Sequence, residues 1–213
     1  GAGNDGYVSI WYDQSGNGND AFQTTYDYQP KIIDNGSIEL SPSGQPTVRF
    51  LYTSPNFSSL ITPIGTVDNT NSVSFFMVVE IERALSASQI FLNLSGGSGE
   101  QVGVGVTNSG TVFNYGGFLN KSTSHTPSLN QNILYSVMTD SSNFEGFADG
   151  SSILTTPIVT ISITQNGRIS SLFQGALHLG GTISEVILFN SGKADDRADI
   201  EGDISNHYNI TLS

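Results

Sequence analysis

The densest chemistry in this sequence is the loop Asp13–Asp20. There Asp13, Gln14, Ser15, Asn17, Asn19 and Asp20 place six oxygen-bearing side chains within eight residues. Calcium takes about 6–8 oxygens from carboxylates, amides and carbonyls, so Asp13, Asn17, Asn19 and Asp20 are expected as calcium ligands, with Gly16 and Gly18 letting the chain fold tightly. The same residues also suit a turn closed by Asp and Asn side chains on nearby backbone N–H groups. The spacing lacks the regular D-x-D-x-D-G order of a calcium loop, and both readings stand.

Paired carboxylates are the second resource. A retaining glycosidase holds two of them roughly 5–5.5 Å apart and an inverting one roughly 6.5–9.5 Å. Glu80, Glu82, Glu145 and Glu185 fall on strand-like runs, and Glu185, between Ile183 and Ile187, is placed to point into a sheet face. An enzyme would draw its catalytic groups from Glu185 and Glu145, or from His125 as base with Lys121 neutralising a uronate. Solvated carboxylates and an exposed loop histidine are the rival expectation, because no Glu-x-Asp-x-x-Glu cluster is present. A Ser-His-Asp signature, a Gly-x-Ser-x-Gly elbow and a phosphate loop are also missing. Three scattered His and no Cys make a zinc site improbable.

Aromatics complete the inventory. Tyr26, Tyr28, Tyr52, Tyr115 and Phe118 sit in polar loops where rings could stack on sugars while Asn, Asp and Gln bind hydroxyls. Packing is the alternative for each of them, and Trp11 is expected in the core.

Short runs rich in Val, Ile, Phe, Thr and Tyr must position these groups. They are Tyr7–Tyr12, Ile32–Ile33, Thr47–Phe50, Val73–Glu82, Ser88–Leu94, Gln101–Thr107, Thr111–Tyr115, Ile133–Asp140, Asn143–Ala148, Ser152–Thr155, Arg168–Leu172 and Gly181–Asn190. Val73–Glu82 is apolar on both faces, as a central strand between two layers should be. Asp149-Gly150 predicts a type I′ hairpin, and Asn166-Gly167 another between Thr160–Thr164 and Arg168–Leu172. Gly110 is expected to turn one strand into the next. Apolar residues Ala194, Ala198, Ile200, Ile204 and Tyr208 mark one amphipathic helix over Ala194–Tyr208, packed against an end of the sandwich, with Asp195 and Asp196 in its first turn. Gly202 weakens it by about 1 kcal/mol relative to Ala. The expected fold is all-β, a two-sheet antiparallel β-sandwich with one short C-terminal helix.

Composition narrows the function classes. The 213 residues carry 7 Lys+Arg against 19 Asp+Glu, a formal charge of −12. So few bases cannot neutralise many phosphates, which argues against nucleic acid as a partner. With no Cys, a disulfide scaffold is excluded, and the absence fits a bacterial surface protein. At 37% hydrophobic and 10% aromatic residues the chain can fill a core. No apolar run approaches the roughly 18 residues of a membrane span. The opening Gly1-Ala2-Gly3-Asn4-Asp5 has neither initiator Met nor leader, which reads as a processed or excised piece of a longer protein.

Three segments resemble a known family. They are Trp11-Tyr12-Asp13-Gln14-Ser15-Gly16-Asn17-Gly18-Asn19-Asp20-Ala21 with Gln29-Pro30-Lys31-Ile32 and Gly44-Gln45-Pro46-Thr47-Val48-Arg49-Phe50; Phe144-Glu145-Gly146-Phe147-Ala148-Asp149-Gly150; and Leu179–Asn190 leading into His207-Tyr208-Asn209-Ile210. Their order is similar to concanavalin A-like, laminin-G-like jelly rolls of secreted bacterial adhesins and polysaccharide-utilisation proteins of the Bacteroidetes type. The first segment also resembles the catalytic domain of α-L-arabinofuranosidases. The resemblance implies a jelly roll whose concave face often holds sugar, in a monomeric domain of a larger secreted or cell-surface chain. Related chains carry further strands before the first motif, so it also implies a boundary at Gly1. The expected role is carbohydrate binding or adhesion, with a polysaccharide or glycan as partner and no membrane insertion. The alternatives are a glycoside hydrolase or polysaccharide lyase, and a structural spacer in a large adhesin.

Overall fold

The structure is a computed structural model. It describes all residues except 1–2, 54–55, 64–71, 84–87, 96–100, 116–119, 141, 158–165 and 172–176. Among the described residues two antiparallel sheets face each other. The first sheet runs, edge to edge, β1 (Gly6–Tyr7), β4 (Lys31–Asp34), β6 (Val48–Phe50), β19 (Gly181–Phe189), β10 (Ser74–Ile81), β15 (Asn132–Thr139), β16 (Asn143–Ala148) and β17 (Ser151–Pro157), with β5 (Ser37–Ile38) paired to β4. The second runs β14 (Asn120–Ser122), β13 (Gly110–Tyr115), β12 (Gln101–Thr107), β11 (Gln89–Ser95), β18 (Gly167–Ile169), β9 (Leu60–Thr62), β3 (Ala21–Phe22) and β2 (Ile10–Trp11). A separate hairpin joins β7 (Tyr52–Thr53) to β8 (Asn56–Phe57).

The alternation of residues along each strand builds the core. Phe75, Met77, Val79 and Ile81 of β10 point inward, where they share one cluster with Leu92 and Leu94 of β11, Val102, Val104 and Val106 of β12 and Phe113 of β13. All eight residues of β10 are buried because its other face is covered too. There Phe76, Val78, Leu134, Met138 and Phe147 receive Ile204 and Tyr208 of α1 (Arg197–Tyr208). The helix therefore lies on the outer face of the first sheet and not on an end of the sandwich, because that face is apolar and needs a cover. It is also shorter than expected. Asp196 is its N-cap and Asp199 its first-turn acid, while Lys193 pairs with Asp196 just outside.

The Asp149-Gly150 hairpin forms as expected, with φ of 47° and 83° at the two positions and the Asp149 carboxylate accepting the Leu134 N–H at 2.8 Å. Tyr7–Tyr12 is not one strand. It divides into β1 in the first sheet and β2 in the second, crossing between them at Val8-Ser9. Arg168–Leu172 shortens to β18, which pairs with β11 and β9. Ser170 takes a positive φ of 68° and ends it, while the expected partner Thr160–Thr164 lies outside the described residues. No helix among the described residues is long and apolar enough to cross a membrane.

Candidate functional site

Two loops meet at one end of the sandwich and carry exposed rings. A 3-10 turn, Tyr26–Tyr28, leaves β3 and touches the β7–β8 hairpin. Its position is fixed by two glutamines. Buried Gln23 donates to the Ser59 carbonyl (3.0 Å) and accepts from the Thr25 N–H (3.0 Å), while Gln29 donates to the Gln23 carbonyl (3.0 Å). The Ser59 N–H closes the junction on the Tyr28 carbonyl at 3.0 Å. On this frame Tyr26 is 65% and Tyr28 43% exposed, with Tyr7 standing edge-on to Tyr26. The loop is rigid where its backbone is tied, and its rings face water.

The hairpin supplies Tyr52, 36% exposed. The Arg83 guanidinium lies 3.5 Å over the Tyr52 ring, and Phe57 meets that ring edge-on at 5.2 Å. Phe57 in turn stacks on buried His178 at 4.8 Å and 11°. The Gly180 carbonyl holds the Glu82 and Arg83 N–H groups, both at 3.0 Å, which sets Arg83 in place. A cation over a tyrosine face is an attractive arrangement in itself. Tyr26 and Tyr28 thus stand exposed on a turn that touches this hairpin, while one face of Tyr52 is covered by Arg83.

Of the five expected aromatic residues, the structure sets Tyr26 and Tyr28 on a turn that touches the hairpin carrying Tyr52. Tyr115 ends β13, five strand positions from β3 across the second sheet, and its side chain and Phe118 lie outside the described residues. Phe57 is a near neighbour of Tyr52 in the sequence, whereas Arg83 and His178 reach this cluster only through the fold.

The Asp13–Asp20 loop is closed on itself. The Asp13 carboxylate accepts the N–H groups of Ser15 (2.8 Å) and Asn19 (3.0 Å), and Asp20 accepts that of Asp13 (2.8 Å). Asn17 reaches Ser15 Oγ at 2.9 Å. Hydrogen bonds from Ser15 and Asn19 hold the Asp13 carboxyl below its ordinary pKa. Two of the expected calcium ligands thus have carboxylate oxygens engaged with backbone donors.

Glu185 and Glu145 are not brought together. They sit on β19 and β16, three strand positions apart, which is about 14 Å across the sheet and beyond either glycosidase spacing. Glu185 lies beside α1, where burial raises its pKa and His207 and Tyr208 oppose the rise. The carboxylates that do converge are Glu39, Glu80 and Glu82. Arg49 Nε bonds Glu39 at 2.9 Å and its Nη1 bonds Glu82, while Thr182 donates to Glu80 at 3.1 Å. Burial, then Glu82, pushes the Glu80 pKa up. Glu80 and Glu82 share a face by simple alternation, but the cross-strand neighbours Thr182 and Arg49 follow only from the pairing of β19 with β10 and β6.

His125 and Lys121 also separate. His125 Nδ1 contacts Thr111 Oγ1 at 2.8 Å, and Thr111 contacts the buried Tyr135 hydroxyl at 3.1 Å. Burial lowers the His125 pKa. The imidazole ties a loop to the core, and Lys121 is exposed on β14.

No family model and no curated protein matches the sequence. Solved structures do match. A Trypanosoma rangeli sialidase in complex with sialic acid superposes with a TM-score of 0.65 at 13% identity, over 97% of this chain and 32% of that one. Botulinum neurotoxin type C, dependent for getting into cells upon interaction with two ganglioside molecules, gives 0.61 at 13% identity over 95% and 50%. The binding domain of botulinum neurotoxin DC in complex with SialylT gives 0.62 at 11% identity over 93% and 51%. This chain spans about half of the toxin structures and a third of the sialidase. At such identity the likeness establishes the fold: a β-sandwich of the jelly-roll kind, as expected.

Proposed function

We propose that the protein is a carbohydrate-binding, adhesive module of a secreted or cell-surface bacterial protein of the adhesin or polysaccharide-utilisation kind. The observation that carries this reading is the end of the sandwich where Tyr26, Tyr28 and Tyr52 stand exposed on a backbone pinned by Gln23 and Gln29. Fixed aromatic rings lose little entropy when a ligand docks, so they act as anchors. The glycans named with the matched toxin and sialidase structures belong to those proteins, and they support a sugar as the ligand here. Separation of Glu145 from Glu185 favours binding over hydrolysis by that pair.

The test is a glycan array followed by calorimetry on hits, in calcium and in chelator, with Tyr28→Ala and Tyr52→Ala alongside. Each truncation is expected to weaken binding by about tenfold, an anchor ring contributing more than about 1 kcal/mol. A protein that binds no glycan is a spacer. Release of reducing ends or of unsaturated uronate from polysaccharides would instead make it an enzyme.

A further inference from the structure

The sequence contains three Asn-Gly pairs, Asn17-Gly18, Asn35-Gly36 and Asn166-Gly167. Such a pair is open to a reaction of its own. The glycine backbone nitrogen attacks the asparagine Cγ, because no Cβ on the glycine blocks the approach. Its proton leaves with the side-chain nitrogen as ammonia, and a cyclic imide (succinimide) closes. Water then opens the ring at one or the other of its carbonyl carbons, giving aspartate or isoaspartate. The reaction needs a glycine nitrogen free of an acceptor, a backbone with room to turn, and access for water.

Two of the three pairs fail these conditions. At Asn35 the nitrogen is engaged, since the Gly36 N–H donates to the Asn4 carbonyl at 3.1 Å, and the Asn35 N–H is itself held by Asp5 at 2.9 Å. At Asn166 the glycine is buried in β18, in register with Thr62 of β9. A Cβ there would meet Thr62 Oγ1 at 2.3 Å and the Asn93 carbonyl at 2.9 Å, so the backbone has no room to turn. Asn17 meets all three. Gly16, Asn17 and Gly18 are exposed, and a Cβ on either glycine would meet nothing within 4 Å. Both glycines take positive φ, 82° and 75°. Among the described residues no acceptor meets the Gly18 N–H. The bonds that close the loop lie at its base, where Asp13 accepts from Ser15 and Asn19 and Asp20 accepts from Asp13. Asn17 is tied to Ser15 Oγ, by its N–H at 3.3 Å and its amide at 2.9 Å. That contact is exposed, and rotation of the Asn17 side chain releases it at small net cost because water replaces it.

We propose that Asn17 is a self-modification site, converting through a succinimide to aspartate and isoaspartate in the folded protein, ahead of Asn35 and Asn166. The new carboxylate joins those of Asp13 and Asp20 in one loop and makes the formal charge of −12 more negative by one. Isoaspartate also routes the backbone through the side-chain carbon and so lengthens the tip of the loop. The site is independent of the glycan reading and stands whatever the protein binds.

The experiment is incubation of the full chain in mildly alkaline buffer, folded and unfolded in guanidinium chloride. Peptide mapping by mass spectrometry reads the conversion of each amide to an acid, and labelling by an isoaspartyl methyltransferase reads the isoaspartate. Asn17→Gln is the control, because its longer side chain would have to close a larger ring. In the folded chain Asn17 should convert tenfold or more faster than Asn35 and Asn166. In the unfolded chain the three rates should draw within a few-fold of one another, because the contacts that protect two of them are gone. Asn17→Gln should lose the fast-forming acidic species on ion exchange. Conversion of Asn35 or Asn166 as fast as Asn17 in the folded chain overturns the inference. So does a folded Asn17 that stays intact while the unfolded chain reacts, or an acidic species that still forms fast in Asn17→Gln. The same tenfold order in the unfolded chain also overturns it, since sequence and not structure would then set the order.

Discussion

Asn93→Leu should stabilise the protein, against the usual direction of core substitutions. The two side chains have the same number of heavy atoms and the same branch point, so the change swaps an amide for two methyls in place. Asn93 is wholly inaccessible and both amide atoms lack partners, and an unmatched buried polar group costs about 1–3 kcal/mol. Leucine removes that cost, and the larger methyls give back part of the gain through crowding. A net gain of about 0.5–2 kcal/mol corresponds to about 1–6 °C in Tm for a domain of this size. Urea unfolding reads the same quantity as a higher midpoint at an unchanged m value. A lower Tm with native circular dichroism would refute the reasoning, because it would mean that the amide is already satisfied in the folded protein.

Further outcomes follow from other contacts. Gly146→Ala would set a Cβ 2.5 Å from two ring carbons of Phe113, which is buried against Phe144. A loss of about 1–3 kcal/mol is expected in thermal or urea unfolding. His125 has its pKa lowered by burial. The unfolded chain therefore binds the proton more readily, and stability falls as pH drops below about 6.5. Glu80, Asp149 and Glu185 have raised pKa values and act in the opposite sense, losing stability as pH rises. The test is thus the difference between wild type and His125→Asn in melts at pH 7.5 and 5.5, with wild type losing more. Asp13→Ala removes the acceptor for two backbone N–H groups and should cost about 1 kcal/mol, at the low end because the loop is exposed. With those oxygens engaged, Tm should be equal in calcium and in chelator; a rise in calcium would show the loop regrouping around the ion.

The sandwich was legible because its signals are local. Inward valines alternate with outward glycines along β12, β10 is apolar on both faces, and Asp149-Gly150 has the one turn chemistry that fits both positive φ values. The errors came where a long-range requirement overruled a local pattern. Tyr7–Tyr12 alternates like a single strand, but its two halves complete different sheets. The helix follows its periodicity, while its resting place was set by Phe76, Val78 and Leu134, which no local pattern in the helix reveals.

Residue type and spacing single out groups whose partners are supplied by the fold, for a physical reason. Within Asp13–Asp20 close neighbours on the chain satisfy one another, whereas His125 is satisfied by a residue of another strand and not by nearby Lys121. The structure finds the Asp13 carboxylate on backbone N–H groups and His125 on Thr111. Unspent capacity arises where a side chain's neighbours are chosen by strand register, and register is the least local property of a sheet. Asn93 and Arg168 are 75 positions apart in numbering and adjacent in the sheet, with a glycine as the next neighbour. Nothing beside either residue in the sequence hints at the other.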